Sequence, residues 1–418
     1  MHAFTYVFLV ALVLNTAFQW WLLRRHIHHV RAYRDEVPES FKKQVPIVAH
    51  QKAADYTIAQ ARFEQSELWT GCLLLLLWTI GGGLELLDTA WRNLGLSPLM
   101  TGTAFILSVL VIMAVIELPF SAYRIFVIEQ QFGFNRTTPR IFFTDFFKEG
   151  LLLFFIGIPL VMLILWLMAH AGSLWWVTAW AVWIGFTLLM TWVYPAFIAP
   201  LFNQFRPLED NIMRKRIEAL LARNGFSSEG IFVMDGSRRS SHGNAYFTGF
   251  GKNKRIVFFD TLIGELDADE LESVLAHEVG HFKCRHVIKR LALMAGLSLL
   301  GLALLGWLMK HAWFFQGLGV SQPSTHAALV LFLMAVPIFT FLLQPVLAAI
   351  SRKHEFEADD FASAQADANV LIRALVKLYK ENSSTLTPDP LYSAFHDSHP
   401  PAPIRVAHLA SRAQTAFN

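Results

Sequence analysis

Seven separate stretches of about twenty mainly apolar residues constrain this chain before any motif does. They lie at about 4–23, 68–87, 100–120, 150–168, 174–195, 287–309 and 327–350. Crossing ~30 Å of hydrocarbon takes ~20 helical residues, so each stretch can span a bilayer. A backbone with no water to pair with must satisfy its own hydrogen bonds there, which makes these spans helices. Composition agrees, with 54% hydrophobic and only 16% charged residues, against about 25% charged in soluble domains. The first stretch has nothing basic ahead of it and reads as a retained span rather than a cleaved leader. A run of glycines at 81–83 interrupts the second. A formal net charge of +3 gives no ground for a nucleic-acid partner. Two cysteines, Cys72 and Cys284, cannot build a disulfide framework, and both read as structural.

The basic residues test the parse. With the N-terminus outside, the inner side receives Arg24, Arg25, Arg31 and Arg34 in the first loop, and Arg124, Arg136, Arg140 and Lys148 in the third. It also receives the basic residues of the loop 196–286 and of the tail after Ser351, whereas Arg92 and Lys310 fall outside. The positive-inside rule thus supports both the number and the orientation of the spans. Four regions follow: spans one to five with their cytosolic loops (1–195), a cytosolic catalytic insert (196–286), spans six and seven (287–350), and a C-terminal catalytic segment (351–418). The insert and the tail face one compartment and can share a site across the hairpin of the last two spans.

Within the insert, 211–224 has helical periodicity closed by Gly225, 230–234 and 255–260 are β-rich, and Gly249-Phe250-Gly251 reads as a turn. Asp267 with Glu270 three residues later marks a helix start that runs on toward Arg290. That helix carries His277-Glu278-Val279-Gly280-His281. Two histidines four apart project from one helical face and can hold one zinc ion, with Glu278 beside the open position as a general base. The five-residue string alone also fits an amphipathic helix with surface histidines. Flanking Val274, Leu275 and Phe282 embed it in apolar sequence, and Gly280 reads as removing bulk next to the metal.

Zinc needs a third protein ligand, and Glu355, at the exit of the last span, is the candidate. Glu355 and Asp359 share a helical face, while Glu357 points away. Glu355 would ligate, and Asp359 would orient a ligand histidine. An ordinary acidic helix start fits the same spacing, but the hairpin brings this segment back beside the histidines.

HEVGH followed after a two-span hairpin by EFEAD at 355–359 resembles the type-I CAAX prenyl endopeptidases, the a-factor-converting-enzyme family. So do FVIEQQFGFN at 126–135, PLFNQF at 200–205, HGNAYF at 242–247, and Ser398-His399-Pro400 with Arg405. The resemblance implies a mainly α fold: a seven-span transmembrane helical barrel around a water-filled chamber, carrying a gluzincin-type zinc metalloprotease domain with a small β element. It implies His277, His281 and Glu355 as ligands of one zinc ion and Glu278 as the catalytic base. Asn244 would hold the substrate backbone, His399 would stabilise the oxyanion, and Arg405 would brace the site. Asn244 also fits a turn, and His399 before two prolines a rigid loop. Gly243 departs from the family, where many members carry Ser.

The expected activity is endoproteolysis near the C-terminus of prenylated CAAX-type or other membrane-associated peptides, with membrane lipids as the remaining partners and the oligomeric state open. An HtpX-like quality-control protease is the alternative enzyme, though such chains have about four spans. A scaffold or transporter with structural zinc is the non-enzymatic one. The ending Gln414-Thr415-Ala416-Phe417-Asn418 carries no di-lysine signal, which points to a bacterial inner membrane, or the ER membrane if the source is eukaryotic. His26, His28 and His29 read as a solvated basic stripe, Glu117 as a solvated chamber wall, and Glu129 has no assigned role.

Overall fold

The computed structural model describes residues 2–248 and 253–415, so the expected turn at Gly249-Phe250-Gly251 lies outside the described residues. The protein is mainly helical with one small sheet. Six helices among the described residues are long and apolar enough to cross a membrane, and the pair Ile47–Trp78 and Gly83–Arg92, bent by 46°, makes up to seven. The bend falls at the glycines. Gly82 has φ +79°, and a Cβ on Gly81 would sit 2.9 Å from the Leu77 backbone, so the chain turns there only without side chains. Helices such as Ala3–Ala32 and Pro139–His170 overrun their apolar stretches. Hydropathy registers the part in hydrocarbon, whereas the helices continue past it.

The membrane helices pack at one end. Phe8, Phe105, Leu165, Leu305, Phe315 and Leu331 form a buried core, each near the end of its helix away from the HExxH string. Farther along, the helices are open. Only 6% of the apolar window of Gly172–Phe202 and 17% of that of Pro139–His170 is buried.

At the other end sits a four-stranded sheet of β1 (Phe205–Pro207), β2 (Ser227–Met234), β3 (Ala245–Thr248) and β4 (Asn253–Phe259), in the order β1-β2-β4-β3. β2 and β4 are parallel and the outer pairs antiparallel, which leaves β3 an edge strand. Its core joins insert and tail: Ile217, Ile256, Leu275, Val279, Leu371 and Leu409 are buried together.

The motif helix, Ala268–Lys283, starts on a full capping box of Asp267 and Glu270. It does not run to Arg290. Cys284 ends it, Arg285 adopts φ 59°, and a new helix begins at His286. The left-handed residue redirects the chain from the polar insert into the next apolar helix, a strained position for a side chain with a Cβ.

Gly280 also differs from expectation. A Cβ there would lie 3.1 Å from Cα and O of Ala358 on the helix Gln344–Gln365, and 3.2 Å from Phe361. Its role is helix–helix approach rather than space at the metal, and that approach carries Glu355 toward the histidines.

Candidate metal centre

The motif helix and the helix Gln344–Gln365 present His277, His281 and Glu355 to one point. Nε2 of His277 lies 3.2 Å from Nε2 of His281. Oε2 of Glu355 is 3.4 Å from His277 Nε2, and Oε1 is 3.4 Å from His281 Nε2. Ligand atoms of the three all lie within 4.8 Å of one another. The His277 and Glu355 side chains are buried, and His281 is 20% exposed, so the point is reached from the His281 side.

Two features fit this set to a divalent cation. Oε2 of Glu355 is buried without a hydrogen-bond partner, its nearest charge being Arg405 Nη1 at 3.8 Å, so its lone pairs remain open to a cation on the histidine side. Burial and Arg405 oppose a proton on His277, yet Asp359 and Glu355 outweigh both and hold its pKa above the ordinary value. The cradle favours positive charge at this ring.

Each imidazole is oriented from behind. Nδ1 of His277 lies 2.8 Å from Asp359 Oδ1, which places the proton on Nδ1 and leaves Nε2 free to ligate. Asp359 is fully buried and is gripped by Arg405, whose Nε and Nη2 each donate at 2.7 Å. The bidentate pair lifts the pKa of the Arg405 guanidinium against its burial.

His281 is held by residues whose part is not evident in the sequence. Its Nδ1 lies 3.0 Å from Nδ1 of His286, and Nε2 of His286 lies 2.9 Å from Oε2 of Glu357. His286 Nε2–H donates a hydrogen bond to Glu357, so His286 Nδ1 accepts one from His281 Nδ1–H, again leaving His281 Nε2 free. Glu357 does point away from Glu355, but to this purpose. Five residues on a continuous helix would put His286 off the face of His281; the break at Arg285 returns it, and a left-handed arginine has no sequence signal. Cys284, His286 and Glu357 also offer ligand atoms within 4.8 Å, but His286 cannot ligate through Nε2 while donating from it to Glu357. Replacing His286 with Ala is expected to weaken zinc affinity about 10- to 100-fold, the usual effect of losing a group behind a ligand. Competition with a chromophoric chelator measures it.

Glu278 is half-buried and makes no hydrogen bond or ion pair among the described residues, so its carboxylate is available to water. His399 is 64% exposed, with Nε2 3.4 Å from Glu355 Oε1. Asn244 is exposed just before edge strand β3; its carbonyl accepts from Phe259 N, and its side chain accepts from the Ala245 amide at 2.8 Å. Of the eight residues singled out in the sequence, His277, His281, Glu355, Asp359, Arg405 and His399 are joined by direct contacts. Glu278 sits between the two histidines on the motif helix, and Asn244 makes its hydrogen bonds to Phe259 and Ala245.

Three other residues lie differently from the plain expectation or beyond it. His26 is buried, not solvated: it stacks on Tyr392 at 4.0 Å and accepts from the Asp389 amide at 3.3 Å, because the first helix continues past its apolar stretch and packs on the tail. Glu129 accepts from Tyr56 Oη at 2.5 Å and lies 3.4 Å from His242 Nε2, tying the first half of the chain to the loop before Asn244. Glu117 is exposed.

A polytopic helical protein in which two histidines and a buried glutamate converge on one point, with a free carboxylate on the motif helix, is of the membrane metallopeptidase class. The comparisons narrow the class. Residues 26–204 match the family model described as CAAX prenyl protease N-terminal, five membrane helices, and residues 207–413 match that of peptidase family M48. The chain is 39% identical over 307 residues to a CAAX prenyl protease 1 homolog of Oryza sativa, covering 73% of this chain and 72% of that one. It is 32% identical over 443 residues to the Caenorhabditis elegans homolog, covering 99% of each. The crystal structure of S. mikatae Ste24p superposes with a TM-score of 0.90 at 29% identity, over 98% of this chain and 99% of that one. The chain belongs to the M48 family of CAAX prenyl protease 1 homologues, and is an integral-membrane zinc metallo-endopeptidase.

Proposed function

We propose that the chain cleaves peptide bonds near the C-terminus of prenylated CAAX-type or similarly membrane-associated proteins, at a gluzincin-type site holding one zinc ion through His277, His281 and Glu355. The observation that supports the site most is the convergence of the buried Glu355 carboxylate, one oxygen of which has no hydrogen bond, on the Nε2 atoms of His277 and His281 at 3.4 Å each. Zinc, when bound, lowers the pKa of water toward neutrality and polarises the scissile carbonyl. Glu278 takes the proton of the attacking water and returns it to the leaving amine. Asn244 and the free edge of β3 align the substrate backbone as an added strand. His399, 3.4 Å from Glu355 Oε1, donates to the developing oxyanion in this reading. Asp359 with Arg405, and His286 with Glu357, keep both histidines in the ligating tautomer.

The shared core of insert and tail supports treating 196–286 and 351–418 as one catalytic unit facing the cytosol. The spans packed at their far ends and open beyond support a hollow barrel. A cavity of about 380 Å³ lined by His26, Glu64, Tyr379, Tyr392 and His399 meets the site at His399.

The relatives' names supply the prenyl-CAAX part of the proposal. Its test is cleavage, by the purified full chain in detergent, of a farnesylated CAAX peptide and its unfarnesylated twin, with products mapped by mass. Preferential cut of the farnesylated peptide is expected. Equal cutting of both would remove the prenyl preference, and cutting only of misfolded membrane segments would favour the quality-control reading.

A further inference from the structure

We propose that the groove between the first two helices, where they leave the hydrocarbon, is a binding site for the phosphate headgroup of an anionic glycerophospholipid. The groove has a volume of about 340 Å³ and is lined by Trp20, Arg24, Ile27, His28, Arg31, Arg62 and Gln65. No carboxylate is among those residues. Arg24, Arg31 and Arg62 make no ion pair among the described residues.

Their neighbours behave differently. Arg25, one residue from Arg24, donates to both oxygens of Asp389. Arg34, one turn beyond Arg31, grips Asp55 in a bidentate pair. Glu64 accepts from Tyr392 Oη, and Glu67 is held by Arg124. Every nearby carboxylate on the second helix therefore pairs with another residue, and three guanidiniums line one groove, Arg31 and Arg62 also bordering the neighbouring cavity that holds the Arg34-paired Asp55. Gln65 adds a buried Nε2 with no partner, a donor with nothing to donate to. Five guanidinium N–H groups per arginine and an amide N–H match phosphate oxygens and nothing cationic.

The groove's depth selects the source of the phosphate. Arg24 follows directly on the apolar stretch of the first helix, and Arg62 and Gln65 directly precede that of the second. Both helices thus place the groove at headgroup level. Trp20, under Arg24 at 4.9 Å, forms its membrane-side wall as an interfacial aromatic does. A free anion would gain nothing from Trp20 and Ile27, whereas a phospholipid's glycerol and upper acyl carbons would cover them. A choline or ethanolamine head would bring a cation against three arginines. Basic pockets between membrane helices recognise anionic heads in this way.

Native mass spectrometry of the delipidated full chain, titrated separately with phosphatidylglycerol, phosphatidylcholine and inorganic phosphate, tests this. Phosphatidylglycerol is expected to bind, with the other two weak. The triple variant Arg24→Gln, Arg31→Gln, Arg62→Gln should lose about 100-fold in phosphatidylglycerol affinity. A charge-matched control at Lys43, Arg136 and Arg140, exposed and unpaired, should lose almost none. If the triple variant does not fold, Arg62→Gln alone should lose about fivefold. Equal loss in the control would make the effect diffuse surface charge, phosphatidylcholine binding as tightly would remove the charge selectivity, and inorganic phosphate binding as tightly would make the site one for a soluble anion. Each of these overturns the proposal.

Discussion

Glu278→Gln is expected to leave zinc bound and to lower peptide cleavage about 10²–10⁴-fold, the range general acid–base catalysis contributes. The substitution keeps shape and removes only the carboxylate. Glu278 makes no hydrogen bond or ion pair with the three metal donors or any other group among the described residues, so neither the fold nor the donor set should change. Zinc content by atomic emission and cleavage of a CAAX peptide, measured on one preparation, separate the two effects. Full activity with zinc retained would remove Glu278 from the mechanism. Loss of zinc together with activity would make it a ligand instead of a base.

Glu355→Gln should do the opposite and take the metal away. It deletes the anionic donor from a site whose other two ligands are neutral, so the loss should exceed the roughly 10- to 100-fold expected for a group behind a ligand. The effect also shows in stability. At zinc concentrations ~100 times the wild-type Kd, binding stabilises the folded chain by about 2.7 kcal/mol. A variant weakened 100-fold or more keeps at most about 0.4 kcal/mol of that at the same zinc. Thermal unfolding with zinc and with chelator measures the difference, and an undiminished zinc increment in the variant would place the third ligand elsewhere.

The sequence carries this site unevenly, and the reasons are physical. His277 and His281 are visible because helical periodicity fixes their relation over four residues. Glu355 is visible because two spans make a hairpin and return the chain to its starting side. The capping box at Asp267 and Glu270 has a local signature and forms as expected. His286 and Glu357 are invisible for the complementary reason: their contact depends on Arg285 at φ 59°, a conformation no local pattern announces. Gly280 draws attention in the sequence for the wrong cause, since nothing there says which backbone comes within 3.1 Å of it. His26 looks solvated beside Arg24 and Arg25, because the tail that buries it lies more than 360 residues away. The parallel pairing of β2 with β4 is likewise nonlocal. The apolar stretches mark candidate spans but not the helix ends, which run on past them in Ala3–Ala32 and Ile47–Trp78.

X-ray absorption at the zinc edge on the purified, zinc-loaded chain tests the metal centre most directly. Two imidazole nitrogens at ~2.0–2.1 Å and carboxylate oxygen at ~2.0–2.2 Å are expected, with no sulfur. A sulfur shell at ~2.3 Å would put the zinc on Cys284 with His286 and Glu357, and would contradict the assignment to His277, His281 and Glu355.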